Sequence, residues 1–566
     1  MANTNTGSTS RARVFRGVCL PSDPLDEWLT SCVNSAQTRH ICEPIANEWD
    51  VVVLNSTIAS ISPYDATRSP NSLIEEAGKV CRFDDAHASK EYGGARPATG
   101  TSSAGEPQPK IHAVSEHALS LSDSESSSTL AAAQDVEVVD GKGRWLVPGW
   151  IDMQVNDLEW MARWYTETFS REQHAHRIGQ VLKHQLGQGV TGMCIATVAS
   201  PLEPLLTYLS AMADVMDSQQ RQEVSDRTQE KCSTLLYGAV VEGTFMNPAC
   251  HGCHNPKYVL PPSMPVLRQL LGTGAVRTIN IAPEMGLEEE TLSMIKHSVL
   301  NGALVSAGHC KPHARMLRSA TEAGCSYIIH LGNGPTGVSL KAACDGGMME
   351  ESLRNDDLTA TVICDMHHIH PAIVRDWTIR KTIQRVVAVS DAAFALGIPS
   401  PEFEVFGRRG KLSEDGKCLV QADLDTSATP SRSSDNIACL FGSNATMRDI
   451  YENLVNMFTT HMRGILYRDH PALSLRQAVS IASALCSSNP ARLLTHQEGS
   501  QLSAGVGKVK TGQLADLLLL SITGHQSEDS ESDAAGLAAS SNAYSTAHNQ
   551  PAIGFAVHVD HVFASS

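Results

Sequence analysis

Eight short apolar runs rich in β-branched residues recur between residues 149 and 391: GWIDMQV, GVTGMCIATV, LLYGAVVEG, VRTINIAP, ALVSAGH, CSYIIHL, TATVICDMHH and RVVAVSD. Amphipathic stretches separate many of them. Three such stretches are HRIGQVLKHQLGQG, EEETLSMIKHSVLNG and HARMLRSATEAG, and the last two end in the glycine that stands just past a helix. A strand with apolar side chains on both faces must be covered on both faces, which is the condition of a parallel sheet flanked by helices. Eight such units fit an α/β fold, a (β/α)8 TIM-like barrel, and the count favours closure over an open sheet.

Outside this region four stretches alternate like antiparallel strands: WDVVVLNSTIASISP at 49–63, DVEVVDGKGRWLVP at 135–148, GKVKTGQLADLLLLSI at 507–522 and GFAVHVDHVF at 554–563. They flank the barrel on both sides in sequence, so a small β-sandwich domain built from both chain ends is expected. The division is then 1–147 and 496–566 for the small domain and 148–495 for the barrel. Segments 84–135, 423–436 and 524–550 are rich in Ser, Ala, Gly and Pro with little apolar periodicity. Such segments cannot offset their ordering entropy, and all three are expected to be disordered insertions.

With 566 residues, 42% of them apolar, the chain can bury a large core. Its net charge of −17 argues against a nucleic-acid partner. No run of about 18 apolar residues is present, and the start MANTNTGSTSRARVF lacks an apolar signal core, so a soluble cytoplasmic protein with no membrane partner is expected. Fifteen scattered cysteines, an odd number, suggest reduced thiols. The one CxxC, Cys250 and Cys253, has no second pair at zinc-finger spacing.

In a β/α barrel the active site lies at the C-terminal ends of the strands. Here those ends carry Glu242, His309, His330, Asp365 with His368, and Asp391. A single histidine after a strand is usually a hydrogen-bonded loop residue, but that reading strains when successive strands all end this way. One carboxylate and two imidazoles, Glu242, His309 and His330, supply three N/O ligands and leave a position open for water, as in a catalytic divalent-metal site. The set suits zinc first, and also iron, cobalt or manganese. Asp391 is placed to act as general base, with capping of the following turn as its plain alternative. His368 is placed to hold substrate or steady an oxyanion. On the first strand Asp152, Gln154 and Asn156 stand at alternate positions, where many metal hydrolases carry His-x-His.

The ordered motifs VPGWIDMQVND, VVEGTFMNPACHGCHNP, INIAPEM, LVSAGH, YIIHLGNGPTG, ICDMHHIHP, VAVSDAA, LFGSNATM, SNPARLL and VKTGQLADLLLL resemble the N-acetylglucosamine-6-phosphate deacetylase family of the amidohydrolase superfamily. The resemblance covers about residues 136 to 522. It implies deacetylation of N-acetylglucosamine 6-phosphate to glucosamine 6-phosphate and acetate, with one divalent metal cation per subunit and a homodimer. Glu242, His309 and His330 match the metal ligands, and Asp391 matches the acid/base. His254 matches the histidine that contacts the sugar phosphate, Asn333 and Gly334 an Asn-Ala pair at the substrate, and His368 the substrate histidine of the seventh strand. Leu440, Phe441 and Gly442 match a Leu-Ala-Gly segment lining the sugar site. Gln154 and Asn156 match a Gln-x-Asn common in the family, with Gln154 a neighbour of water or metal.

Several positions depart from the family. EGT replaces Glu-Gly-Pro, NGP replaces Asn-Ala-Met, Lys341 stands where an arginine reaches the phosphate, and Asp157 replaces a glycine. Lysine keeps the charge but loses the bidentate fork. Two other readings follow: the same chemistry on another N-acyl amino sugar or amide, or a catalytically silent barrel serving as a binding module.

Overall fold

The computed structural model describes residues 11–21, 48–77, 135–225, 233–333, 345–397, 402–421, 440–465, 469–495, 507–510, 514–526 and 553–564, with short gaps at 55–56, 65, 71, 75, 142, 406–407, 414–415 and 417. The segments read as insertions, 84–135, 423–436 and 524–550, lie outside these residues except at two ends. Asp135 opens a strand, and residues 524–526 complete another, so composition set that last boundary too early.

Strands β1 (Arg11–Val18), β2 (Trp49–Leu54), β3 (Thr57–Pro63) and β4 (Asp135–Asp140) form one sheet in the order β3-β2-β1-β4. β2 and β3 make the expected antiparallel pair. β4 does not follow the antiparallel expectation: it runs parallel to β1, with Val14 opposite Val138. The physical reason is that alternation within a strand sets which of its faces is apolar and not the direction of its neighbour, so the same pattern fits a parallel partner.

β5 (Trp145–Pro148) leads through Gly149 into the barrel. A Cβ on Gly149 would lie 2.2 Å from Thr191 Oγ1, so only glycine permits this approach. Each of the eight apolar runs is then a strand: β6 (Trp150–Val155), β7 (Val190–Thr197), β8 (Leu235–Phe245), β9 (Val276–Ile281), β10 (Leu304–Ala307), β11 (Cys325–Ile328), β12 (Thr359–Ile363) and β13 (Val386–Val389). They pair in parallel in this order. The ring closes at its C-terminal rim, where the Asn156 N–H donates to the Ala392 carbonyl at 2.7 Å and the Leu158 N–H to that of Ala393 at 2.9 Å.

Ile151, Met153, Cys194, Tyr237, Tyr327, Ile363 and Val387 from strands around the ring share one buried cluster with Leu493 and Leu494 of the helix Asn489–Thr495. The ring is thus a packed core. Strand residues of the opposite face, such as Met193, Ile279 and Val362, pack with helix residues Leu267, Met294 and Val374. The helices Arg171–Gly187, Glu288–Leu300 and Ala314–Glu322 occupy the three amphipathic stretches.

After β13 come four short antiparallel strands that periodicity does not reveal: β14 (Glu402–Val405), β15 (Arg408–Leu412), β16 (Cys418–Gln421) and β17 (Leu440–Ser443). Phe403 seats this sheet on the barrel rim, its ring centroid 5.0 Å from Phe394 and 5.7 Å from Phe441. Finally β18 (Leu517–Gln526) and β19 (Ile553–Phe563) join β5 in the order β19-β18-β5. This sheet packs on the N-terminal one through Phe15, Val51 and Ile58 against Leu517, Leu519 and Phe563, a sandwich built from both chain ends. Among the described residues, no helix is long and apolar enough to cross a membrane.

Candidate metal centre and active site

Glu242 lies within β8, while His309, His330 and Asp391 each stand two residues beyond the end of their strand. All three of the latter have left-handed backbone, with φ of 48°, 30° and 47°. Residues other than glycine rarely adopt this region, at a cost on the order of 1 kcal/mol or more each, and such outliers cluster at functional sites. The turns are crowded as well. A Cβ on Gly308 would meet Ile329 Cγ2 at 1.8 Å, and one on Gly243 the Ala199 nitrogen at 1.9 Å. The glycines of SAGH and VEG therefore permit the close backbone packing beside His309 and Glu242.

The site is buried, and its polar atoms converge. Glu242 Oε1 lies 2.7 Å from His330 Nε2 and 3.1 Å from His309 Nε2. Burial alone would raise Glu242 and lower His330, but their hydrogen bond and attraction reverse both: Glu242 is held well below the usual carboxylate range and His330 is raised. His309 Nδ1 is 2.8 Å from the Cys250 carbonyl, which can only accept, so Nδ1 carries a proton. In neutral His309 the Nε2 lone pair then faces a carboxylate oxygen. Two acceptors this close repel unless a cation lies between them, so the donor set fits a metal. The Nε2–Glu242–Nε2 arrangement is nitrogen and oxygen only, as zinc and its neighbours prefer.

His254 is also close: donor atoms of Glu242, His254 and His309 all lie within 4.8 Å of one another, a buried group that could hold a metal. Its Nδ1, however, accepts the Ala199 N–H at 3.2 Å. Burial, reinforced by the charge of His309, drives His254 down to about 3. Neutral His254 in this arrangement carries its proton on Nε2, which makes that atom a hydrogen-bond donor.

Asp391 is the second carboxylate. Its Oδ1 accepts Gln154 Nε2 at 3.0 Å and Asn156 Nδ2 at 2.9 Å, and Gln154 Nε2 also reaches Glu242 Oε2 at 3.2 Å. Gln154 thus links the two carboxylates. Burial raises Asp391 to about 6, with Glu242 adding to the rise and His330, His368 and the Asn156 hydrogen bond opposing it. Asp391 caps no turn here, since both side-chain bonds go to β6 and the residue after it. Asp152, the third polar residue of the first strand, serves a neighbour instead: it accepts the Ser390 hydroxyl and, through Oδ1, the Gln154 N–H at 3.1 Å.

The remaining expected residues divide. His368 is held by Asp365, whose Oδ2 is 2.6 Å from His368 Nδ1, whereas His367 is exposed. Asn333 is half-buried, and its N–H donates to the His330 carbonyl at 3.0 Å. Gly334 and Lys341 lie outside the described residues. Leu440 is half-buried, and Gly442 has φ 104° with its missing Cβ 3.2 Å from the Asp391 carbonyl. Phe441 is buried in the apolar core rather than lining an open site.

Three arrangements went unread in the sequence. Asp157 takes the place of a glycine and binds Arg177 at 2.7 and 2.8 Å. Ser390 braces Asp152, and Glu284 joins Asn247 to Lys311. The motif INIAPEM did contain Glu284, but nothing in its spacing tells which side chain that carboxylate meets.

No family profile matches the chain. It is 28% identical over 282 residues to the N-acetylgalactosamine-6-phosphate deacetylase of Shewanella sp. (strain ANA-3), covering 48% of this chain and 63% of the relative. It is 25% identical over 295 residues to the N-acetylglucosamine-6-phosphate deacetylase of Lysinibacillus sphaericus (52% and 70%) and 28% identical over 271 residues to the human N-acetylglucosamine-6-phosphate deacetylase (46% and 60%). The matched region thus spans between 60% and 70% of the length of these relatives. The fold is shared with N-acetylglucosamine-6-phosphate deacetylase from Pasteurella multocida, at a TM-score of 0.55 and 16% identity over 90% of this chain and 95% of that one. It is shared equally with a mutant of the Mycobacterium smegmatis enzyme in complex with N-acetyl-D-glucosamine 6-phosphate, at a TM-score of 0.54 and 17% identity over 90% and 95%. The chain is a homologue of the N-acetylglucosamine-6-phosphate and N-acetylgalactosamine-6-phosphate deacetylases, within the amidohydrolase superfamily.

Proposed function

We propose that the protein is a metal-dependent amide hydrolase that removes the acetyl group of N-acetylglucosamine 6-phosphate, giving glucosamine 6-phosphate and acetate. The observation that carries this reading is the convergence of His309 and His330 on one oxygen of Glu242, with Asp391 hydrogen-bonded beside them through Gln154. In this reading Glu242, His309 and His330 hold one divalent cation per subunit, zinc as first choice. Such a cation, when bound, lowers the pKa of water and polarises a carbonyl oxygen.

The chain's own groups do the rest. Asp391, raised to about 6, can take a proton from the attacking water and return it to the leaving amine near neutral pH. Gln154 and Asn156 keep its Oδ1 engaged, so its other oxygen is the one offered to the water. The Nε2–H of His254 donates to an oxygen of the substrate, by resemblance one of the phosphate. Asp365 occupies Nδ1 of His368 and leaves Nε2 for the sugar or the acyl oxygen.

A second reading rests on the Shewanella relative, an N-acetylgalactosamine-6-phosphate deacetylase. It keeps every step and changes one hydroxyl of the sugar. Acetate release by zinc-loaded protein, measured on both 6-phosphates and on unphosphorylated N-acetylglucosamine, separates these readings. Turnover confined to the gluco-6-phosphate is expected. Faster turnover of the galacto-epimer moves the assignment to the second reading, and equal rates with and without phosphate overturn the phosphate contact.

A further inference from the structure

We propose that Glu284 is a positioning residue: it ties the loops after β8 and β10 into one unit that holds His309, and so sets the cation affinity of the Glu242, His309 and His330 group. The proposal rests on reading that group as a metal site.

Glu284 follows β9, the strand between β8 and β10. Its Oε1 accepts two hydrogen bonds, from Asn247 Nδ2 on one side and from the Lys311 backbone N–H on the other, both at 2.7 Å. Each donor leads to His309. The Asn247 N–H donates to the His309 carbonyl at 3.0 Å. Asn247 Oδ1 accepts the Ala249 N–H at 3.0 Å and so starts the short turn Pro248–Cys250. That turn presents the Cys250 carbonyl, which takes the His309 Nδ1–H at 2.8 Å. Lys311 is two residues beyond His309 on the other flank. The carbonyl, the ring and the following backbone of His309 are therefore referred to one carboxylate oxygen.

His309 needs such a frame. Its φ of 48° is unfavourable for any residue with a Cβ, and a conformation of that kind persists only where the surroundings over-determine it. The bond from Cys250 also fixes which ring nitrogen carries the proton, and hence that Nε2 is free to bind a cation. Groups that orient metal ligands in this way typically change metal affinity by about 10- to 100-fold when removed.

Glu284 offers an internal test of mechanism. Its Oε2 is buried and has no hydrogen-bond partner among the described residues. Both ties run through Oε1, so glutamine can keep them without the charge, whereas alanine keeps neither. Apo-protein is titrated with zinc(II) in competition with a chromophoric chelator, for wild type, Glu284→Gln, Glu284→Ala and Asn247→Ser, with thermal melting of each apo form alongside. The expected result is a zinc Kd raised about tenfold or more in Glu284→Ala and Asn247→Ser and restored to within about threefold of wild type in Glu284→Gln. If Glu284→Ala does not fold, Asn247→Ser decides. Wild-type affinity in the folded alanine or serine variant overturns the proposal, as does a glutamine variant as weak as alanine, which would make the charge and not the tie the cause. A wild-type protein that takes up no zinc overturns the metal reading itself, a different result from equal binding by wild type and variants.

Discussion

Asp152 is a buried carboxylate and Asp391 a half-buried one at the end of the neighbouring strand of the same barrel, and their surroundings give them different work. Asp152 is enclosed by hydrogen-bond donors from Ser390 and Gln154, and burial still lifts it to about 7. These hydrogen bonds go to Ser390 and Gln154 and not to Glu242, His309 or His330, so they hold Ser390 and the turn that follows. Asp391 has one oxygen bonded by Gln154 and Asn156, and Gln154 also reaches Glu242, a member of the group that could hold a cation. Substituting Asp391 by Asn keeps an oxygen for those two donors but removes the proton acceptor. Acetate release is expected to fall by about 10²- to 10⁴-fold while zinc content per chain stays unchanged. A rate close to wild type in a fully metallated Asp391→Asn protein would remove this residue from the mechanism. The positions of Glu242, His309, His330 and Asp391 at one rim of the barrel were legible in the sequence because each stands at the end of a recognisable apolar run. Their partners were not: Gln154 meets Asp391 across 237 positions of chain, and no local pattern encodes such a pairing.

At the scale of elements, the helix Arg171–Gly187 anchors the first barrel loop by two separate devices. Arg177 forms a bidentate pair with Asp157, whose side chain is only 1% exposed. Removing the cation alone leaves a buried charge, so Arg177→Met is expected to cost about 3 to 5 kcal/mol, and the double variant with Asp157→Asn should recover part of it. Denaturant unfolding of both variants checks this, and equal stabilities for the single variant and wild type would show the pair to be idle. One turn earlier, His174 Nδ1 accepts the Trp160 indole N–H at 3.0 Å amid Trp164, Phe169 and Tyr208. Burial lowers His174 to about 4, below its unfolded value of about 6.5. Because the unfolded chain then binds the proton more tightly, this stabilisation is complete above about pH 6.5 and is lost as pH falls toward 4. At about pH 5 the loss is on the order of 2 kcal/mol. His174→Gln, which keeps an acceptor and cannot titrate, should narrow the gap in Tm between about pH 7 and about pH 5; an unchanged gap would assign the acid sensitivity elsewhere. The eight barrel strands were readable because strands buried on both faces are continuously apolar. β1 was missed because RARVFRGV mixes arginines with its apolar positions, and β14 to β17 because strands of four or five residues carry too few positions to show a period.

For the whole molecule, the chain ends matter more than their distance from the active site suggests. β5 pairs with β18 over Trp145 to Pro148 and continues through Gly149 into β6, the strand that carries Gln154 and Asn156. The sandwich is therefore the foundation of the first barrel strand. Its two sheets meet where Phe563, near the end of the chain, packs edge-on against Phe15, near the start, at 4.9 Å between ring centroids and with Arg13 over the Phe563 ring at 4.5 Å. Phe563 is 6% exposed, so truncating it opens a cavity between the sheets. Phe563→Ala is expected to lower stability by about 3 kcal/mol, within the usual cost of removing a buried phenylalanine ring. Because the barrel has its own core around Ile151, Tyr237 and Val387, zinc affinity and acetate release measured well below the melting temperature should stay close to wild type. That division is the test: thermal melting should shift while both site measurements hold. If zinc affinity falls together with stability, the sandwich and the metal group form one cooperative unit, and the placement of Gln154 depends on contacts made at the opposite end of β5.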